Sequence, residues 1–314
     1  MGGLLGVGSW AAPSALAQTV KPGALVEPVA SGSVNWTAGW VTATGVGVPP
    51  PGAGAAGRAL AQRAAFVVAV RNLLEVVKGV RIDAATVVEN YIVQNEVIKS
   101  QVTGFVNGAQ IEKTVESLDG SVEVVVKAPL WGTNSLYDSF LDQMGIRDQH
   151  LPPEPAVQGY TGLVIDARGL GVKPACFPTV LDEKGEVIYG PALVDRATVQ
   201  KDGMVHYVAA SREVDLSQLF GERAYVVRPV QLAPPSREGK RPLKIKGLDK
   251  AGALKANIIV SSEDAQKIKN DAHLSMALKR SRVVVVTDPL IGGMEGHLPE
   301  SWYSVAAAVP ILIP

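Results

Sequence analysis

The sequence predicts an α+β protein of two domains, each with helices packed on a mainly antiparallel sheet. Three observations carry this. Phe66, Val70, Leu73 and Val77 recur at helical spacing within residues Arg58 to Lys78, one face of an amphipathic helix. Asp119-Gly120 lies between two β-rich runs, 110–117 and 122–127, the signature of a hairpin. The remainder is divided into strand-length blocks rich in Val and Ile, among them 161–166, 257–260 and 283–287, with no fixed-period repeat.

In chain order, residues 33–47 predict a strand bulged at Gly39, and Pro49-Pro50-Pro51-Gly52 breaks the chain before the long helix. Gly79 is that helix's natural stop. A short strand at 80–82 and a second helix at 86–101 follow, with Asp83 or Thr86 as cap and Val88, Tyr91, Ile92 and Val102 turned inward. The hairpin, ended by Pro129 and Gly132, completes a first domain over 33–132. Residues 133–159 predict a short amphipathic helix (Leu136, Phe140, Leu141) and a stiff Pro-rich linker at 151–155. The second domain, 160–290, is expected to contain a strand at 161–166 and a hairpin of 179–181 with 187–189. Strands at 224–230, 243–245 and 257–260 follow. It then has a helix from Ser262 to Asn270 capped by Ser261 or Ser262, a further helical turn at 273–279, and a strand at 283–287.

Composition narrows the function. With 314 residues and 47% hydrophobic content the chain can bury a sizeable core. Thirty cationic and thirty acidic residues give zero formal charge, which removes the basic footprint of a nucleic-acid binder. Cys176 stands alone, so no internal disulfide and no cysteine-built metal site can form. Its neighbours Ala175, Phe177 and Pro178 predict a buried thiol.

The N-terminus reads as an export signal over 1–17. Residues 4–17 are apolar and end in Ala15-Leu16-Ala17, an A-x-A cleavage pattern before Gln18. No Lys or Arg precedes the run, so the basic region is expected upstream of Met1. The run is shorter than the roughly 20 apolar residues of a membrane span. No Cys stands at the cleavage point, so no lipid anchor is expected, and no other segment predicts a transmembrane helix. A leader, 18–32, and an apolar C-terminal tail, 291–314, flank the two domains.

Residue patterns that carry chemistry are sparse. His150, His206, His273 and His297 form no metal-ligand spacing, and no Gly-x-Ser-x-Gly elbow occurs. Asp182-Glu183 is expected to be solvated in a turn, and the basic stretch 234–250 to be a solvated loop, with contact to an anionic envelope polymer or headgroup as its alternative. The candidate ligand or partner loop is Asp166-Ala167-Arg168-Gly169-Leu170-Gly171, which follows a strand. Val172, Lys173 and Pro174 come next, so no helix opens there to cradle a phosphate. The loop is expected to be a turn on left-handed Gly169 and Gly171, pinned by Asp166 and Arg168. No catalytic residue, cofactor or metal ligand is predicted.

The first domain resembles a known family. Val34-Asn35-Trp36, Ala43-Thr44-Gly45-Val46-Gly47, Arg63-Ala64-Ala65, Arg71-Asn72-Leu73-Leu74-Glu75, Lys78-Gly79-Val80 and Gly120 with Val122-Glu123-Val124 carry the likeness. Together they resemble the small outer-membrane lipoprotein (LPP, twenty-kilodalton) family, flagellar protein P, and the N-terminal domain of flagellar assembly protein T. The likeness covers about 33–130; residues 160–190 and 257–288 resemble a companion region that follows such domains in bacterial envelope proteins. It implies a periplasmic or outer-membrane-associated protein with other envelope or flagellar proteins, and itself, as partners. Ala17-Gln18 stands where the lipoproteins carry their lipidated Cys, so the anchor is not carried over. The expected function is a non-enzymatic, exported structural or assembly component of an envelope machine such as the flagellar motor. A small-ligand or glycan-binding module using the Arg168 loop is the alternative.

Overall fold

The computed structural model describes residues 23–29, 31–153, 159–211, 216, 224–229, 231–232 and 254–289. The export signal, most of the leader, the strand expected at 243–245, the basic stretch 234–250 and the tail 291–314 lie outside the described residues.

Strands β1 (Val26–Val29), β2 (Gly32–Asn35), β3 (Trp40–Gly47), β4 (Gln110–Glu116) and β5 (Val122–Pro129) form a five-stranded antiparallel sheet in the order β1-β2-β3-β5-β4. The single bulged strand expected over 33–47 is instead a hairpin. The chain reverses at 36–39 with Gly39 at φ +73, and Trp36, within that turn, is almost fully buried.

Helix α1 (Gly54–Lys78) lies across β3 and β5. Its innermost line is Ala61, Ala65, Ala69 and Leu73, joined by Val76 and Val77; Phe66 and Val70, expected inward, sit half-buried at the sides. The reason is Gly45 and Gly47. Their missing side chains let the helix backbone approach β3 so closely that a Cβ on Gly45 would lie 2.3 Å from the Ala65 carbonyl oxygen. Only small residues fit on that line, and alanines give a weak periodic signal. The helix expected at 86–101 is two helices, α2 (Val88–Gln94) and α3 (Glu96–Asn107). Asn95 leaves the helical region (φ −140, ψ 106), and its side chain accepts from the Val97 and Ile98 N–H groups, capping α3. Residues 134–144 contain only a 3₁₀ turn, Tyr137–Ser139, but Leu136, Tyr137, Phe140 and Leu141 are all buried.

The second region departs from the expected mainly antiparallel sheet. Strands β6 (Gly162–Asp166), β9 (His206–Ala209), β10 (Ala224–Val227) and β13 (Val283–Thr287) form a four-stranded sheet, β10-β6-β13-β9, in which every pair is parallel. All five residues of β6 are buried, as expected of a strand covered on both faces. A smaller sheet, β11-β12-β7-β8, combines β7 (Val180–Asp182), β8 (Val187–Tyr189), β11 (Gln231–Leu232) and β12 (Ile258–Val260). This region also contains the helices α4 (Arg196–Asp202), α5 (Ser262–Asn270) and α6 (Ala272–Lys279). Ser261 caps α5, accepting from the Asp264 N–H at 3.0 Å, as the sequence predicts. The α+β class, with several sheets, describes the chain.

One hydrophobic core runs through both regions. Trp36 meets the Tyr207 ring edge-on at 5.9 Å, and the Thr37 hydroxyl donates to the Tyr207 carbonyl at 2.6 Å. The Cys176 and Phe177 N–H groups donate to the Arg81 and Ile82 carbonyls. Gly23 exchanges two backbone hydrogen bonds with Ala209, extending the β9 edge. Cys176 is a fully buried free thiol, and burial pushes its ionisation well above the usual range. Ellman's reagent is therefore expected to label the native protein negligibly and the urea-unfolded chain stoichiometrically. Rapid labelling of the native form would contradict the burial.

Candidate functional site

Because β6, β9, β10 and β13 are parallel, their carboxyl ends share one edge of the sheet. This is where open α/β sheets place their ligands, and the sequence-predicted loop lies there. Asp166 is the last residue of β6. Its Oδ1 accepts from Arg168 Nε at 2.6 Å and its Oδ2 from Arg168 Nη2 at 2.9 Å, a two-point pair. Burial alone would raise the Asp166 carboxyl, but the Arg168 hydrogen bonds and charge, with Arg228 behind them, hold it below the usual carboxylate range.

The other strand ends close around this pair. Arg168 Nη1 donates to the Ser211 carbonyl at 2.6 Å, just beyond β9. Arg228, one residue past β10, holds Nε 3.4 Å from Asp166 Oδ2. Past β13, Asp288 accepts from the Gly169 N–H at 2.5 Å. Gly169 (φ +83) and Gly171 (φ +67) take left-handed conformations, so the structure brings Asp166, Arg168, Gly169 and Gly171 together as one pinned turn. The Arg168 side chain is 8% exposed, and three of its nitrogens donate to this chain. Chemically it is a brace. Arg228, with a side chain 84% exposed, faces outward, and sequence reasoning missed it.

Residues 162–289 match the family described as Treponema pallidum Tp0624, second domain. The match begins at the first residue of β6 and ends two residues past β13, so it spans both sheets of this region and the whole Asp166–Arg168 turn. No curated protein matches the chain.

The remaining chemistry-bearing residues are dispersed. His206, on β9, packs 6.1 Å from the Trp131 ring, and burial lowers its protonation below the ordinary imidazole value. His273 lies on α6, His150 is exposed, and His297 is outside the described residues. Among the described residues no three His, Cys, Asp or Glu side chains group to hold a metal ion. Of Asp182 and Glu183, expected to be solvated, Glu183 is exposed and Asp182 is not. Asp182 is buried and its Oδ1 accepts from the Lys184 and Glu186 N–H groups, while Glu183 Oε2 accepts from the Ser262 N–H and hydroxyl at the start of α5. These are a local turn and a helix-terminus pairing across 79 residues.

Sequence reasoning also missed a polar cluster between the two regions. Arg81 donates to both Glu27 oxygens and, through Nε, to the Pro174 carbonyl at 2.5 Å. Its guanidinium lies 5.6 Å from the Trp36 ring centroid, and Trp36 Nε1 donates to Glu27 Oε2 at 2.9 Å. No helix among the described residues is long and apolar enough to cross a membrane.

Proposed function

We propose that this is an exported, non-enzymatic envelope protein, a structural or assembly component of a periplasmic or outer-membrane-associated machine such as the flagellar motor. The export-signal pattern and the first domain's likeness to the outer-membrane lipoprotein and flagellar assembly families motivate the reading. The observation that carries it is the outer face of the five-stranded sheet. Strand register puts Val46, Glu123 and Val115 in one row across β3, β5 and β4. Val46 and Val115 are exposed there; Val48 at the end of β3 and Leu118 at the β4–β5 turn are the most exposed aliphatics at the same end of the sheet. All seven residues of the edge strand β4 are exposed. Its bulge after Ile111 and its Lys113 discourage indiscriminate strand pairing, so a side-chain contact through the Val46–Val115–Leu118 end is the mode this surface suits.

The triple substitution Val46→Lys, Val115→Lys, Leu118→Lys is expected to leave stability within about 0.5 kcal/mol per site, because each position faces solvent. A deletion strain should show a motility or envelope defect, rescued by the parent gene and not by this variant. A cytosolic location for the polypeptide, or full rescue by the variant, would overturn the reading. Location at the carboxyl ends of a parallel sheet favours a second reading, capture of a small anion or glycan at the Arg168 loop. A ligand-dependent rise in melting temperature, lost in Arg168→Ala, distinguishes it.

A further inference from the structure

Strand β4 is the outer edge of the five-stranded sheet. The unpaired backbone groups of such an edge are a template for another strand, and proteins commonly keep it short or cover it. Here α1 lies over β3 and β5, while β4 runs for seven residues and all seven are exposed. Its pairing with β5 shows which way each residue faces. Ile111, Thr114 and Glu116 stand opposite Val126, Val124 and Val122, which are buried on the side that α1 covers, so these three face the helix side. Lys113 and Val115 stand opposite Val125 and Glu123 on the outer side, as Gln110 does opposite Lys127. Glu112 is the extra residue of the bulge, and it too faces outward, 3.3 Å from Lys127 Nζ.

The bulge makes this pattern palindromic. From Gln110 to Val115 the residues face outward, inward, outward, outward, inward, outward. Directly opposed residues of an antiparallel pair share a face. A second β4 can therefore lie antiparallel along this edge with every face matched over the whole of 110–115, about a two-fold axis between Glu112 and Lys113. Ile111 then opposes Thr114 of the second copy, Gln110 opposes Val115, and Glu112 opposes Lys113, each pair made twice by symmetry. A shift of one residue either way sets Lys113 against Lys113 or Glu112 against Glu112, and puts inward residues opposite outward ones. A parallel in-register pairing opposes like charges at both positions. The bulge and the lysine thus deter strands in general and admit this one. We infer that β4 is a homodimer edge: two copies join antiparallel through it, merging their five-stranded sheets into one, with reciprocal Glu112–Lys113 pairs across the two-fold axis. Edge pairing engages backbone groups and leaves the outer sheet faces open, so the Val46–Val115–Leu118 end of each copy stays available. The inference does not depend on the envelope reading, since it needs no other protein.

Light scattering of the full chain over a concentration series tests it, with melting temperatures read alongside to confirm an intact fold. A monomer–dimer equilibrium is expected. Lys113→Glu sets acids against acids on both sides of the axis and should weaken dimerisation by about tenfold or more. Glu112→Lys sets lysines against lysines and should do the same. An equimolar mixture of the two variants should dimerise at least as well as the parent, because every Glu of one copy then faces a Lys of the other. A variant that had merely failed to fold would not be restored by mixing. A strict monomer at every concentration overturns the inference. So does a dimer indifferent to Lys113→Glu, which would place the contact on another surface. A mixture that associates no better than its separate components overturns it too, because the antiparallel register requires the restoration.

Discussion

Arg81→Ala is expected to destabilise the protein by about 3–5 kcal/mol, because it strands a carboxylate in the interior. The Arg81 and Glu27 side chains are only 13% and 20% exposed, so solvent cannot take over the role of the missing guanidinium. The same substitution removes the donor to the Pro174 carbonyl and the cation beside Trp36. Three separate stretches of chain meet at this residue: β1 through Glu27, the segment after α1 through Arg81 itself, and the second region through Pro174. Losing it should loosen the two regions from each other. Urea melts followed by tryptophan emission and by far-ultraviolet dichroism should therefore separate in the variant where they coincide in the parent. The double variant Glu27→Met/Arg81→Met is expected to be less destabilised than Arg81→Ala, since it leaves no unpaired charge. A loss below about 1 kcal/mol in Arg81→Ala would mean the pair behaves as a surface bridge and does not clamp the regions.

The same pair predicts the acid limb of stability. Burial would raise the Glu27 carboxyl, but the Arg81 hydrogen bonds and charge, with the Trp36 indole and Lys173, outweigh burial and leave it below its usual value. A carboxyl depressed in the folded state contributes fully above its unfolded value, and that contribution is lost as the pH falls through the folded one. Stability of the parent should thus decline below the ordinary carboxylate range. Arg81→Ala should show a shallower decline there, because the depressed value depends on Arg81.

What the sequence makes legible follows how local each signal is. The 110–127 hairpin is announced by its own Asp-Gly turn, α5 by Ser261 and the acids after it, and the end of α1 by Gly79. Cys176 is placed by its apolar neighbours. The Asp166–Arg168 pin is visible because its members are two residues apart, whereas Ser211, Arg228 and Asp288 arrive from beyond distant strands, 43 positions from Arg168 for Ser211 and 119 from Gly169 for Asp288. No periodicity encodes such pairings. The parallel sheet is hidden for a related reason: β9 and β10 have four residues each, too short to display a pattern. Its two central strands do carry a trace, Leu163-Val164-Ile165 and Val283-Val284-Val285-Val286, unbroken apolar runs of the kind that two-sided burial requires. The clamp escaped because Glu27 sits in a segment read as leader, and a lone Arg81 advertises no partner.

Gly45→Ala combined with Gly47→Ala is expected to be strongly destabilising. A Cβ at Gly45 would lie 2.2 Å from the Ala69 nitrogen and 2.3 Å from the Ala65 carbonyl oxygen; at Gly47 it would lie 2.0 Å from the Ala61 carbonyl oxygen. These obstacles are helix backbone, which cannot rotate aside as a side chain can. Relief requires α1 to lift from β3, opening the interface that buries Ala61, Ala65, Ala69 and Leu73. Overpacking a core costs about 1–3 kcal/mol per site, occasionally more, and two backbone clashes on one helix place the pair at or above about 3 kcal/mol. Neither glycine has a positive φ, so the penalty is contact and not backbone conformation. That separates it from Gly39→Ala, where φ +73 adds strain of its own. The companion substitution Ala65→Gly removes a side chain but leaves the obstructing backbone in place, so it should not rescue the double variant. Rescue by Ala65→Gly, or a melting temperature unchanged from the parent, would show that α1 does not lie directly on these two glycines.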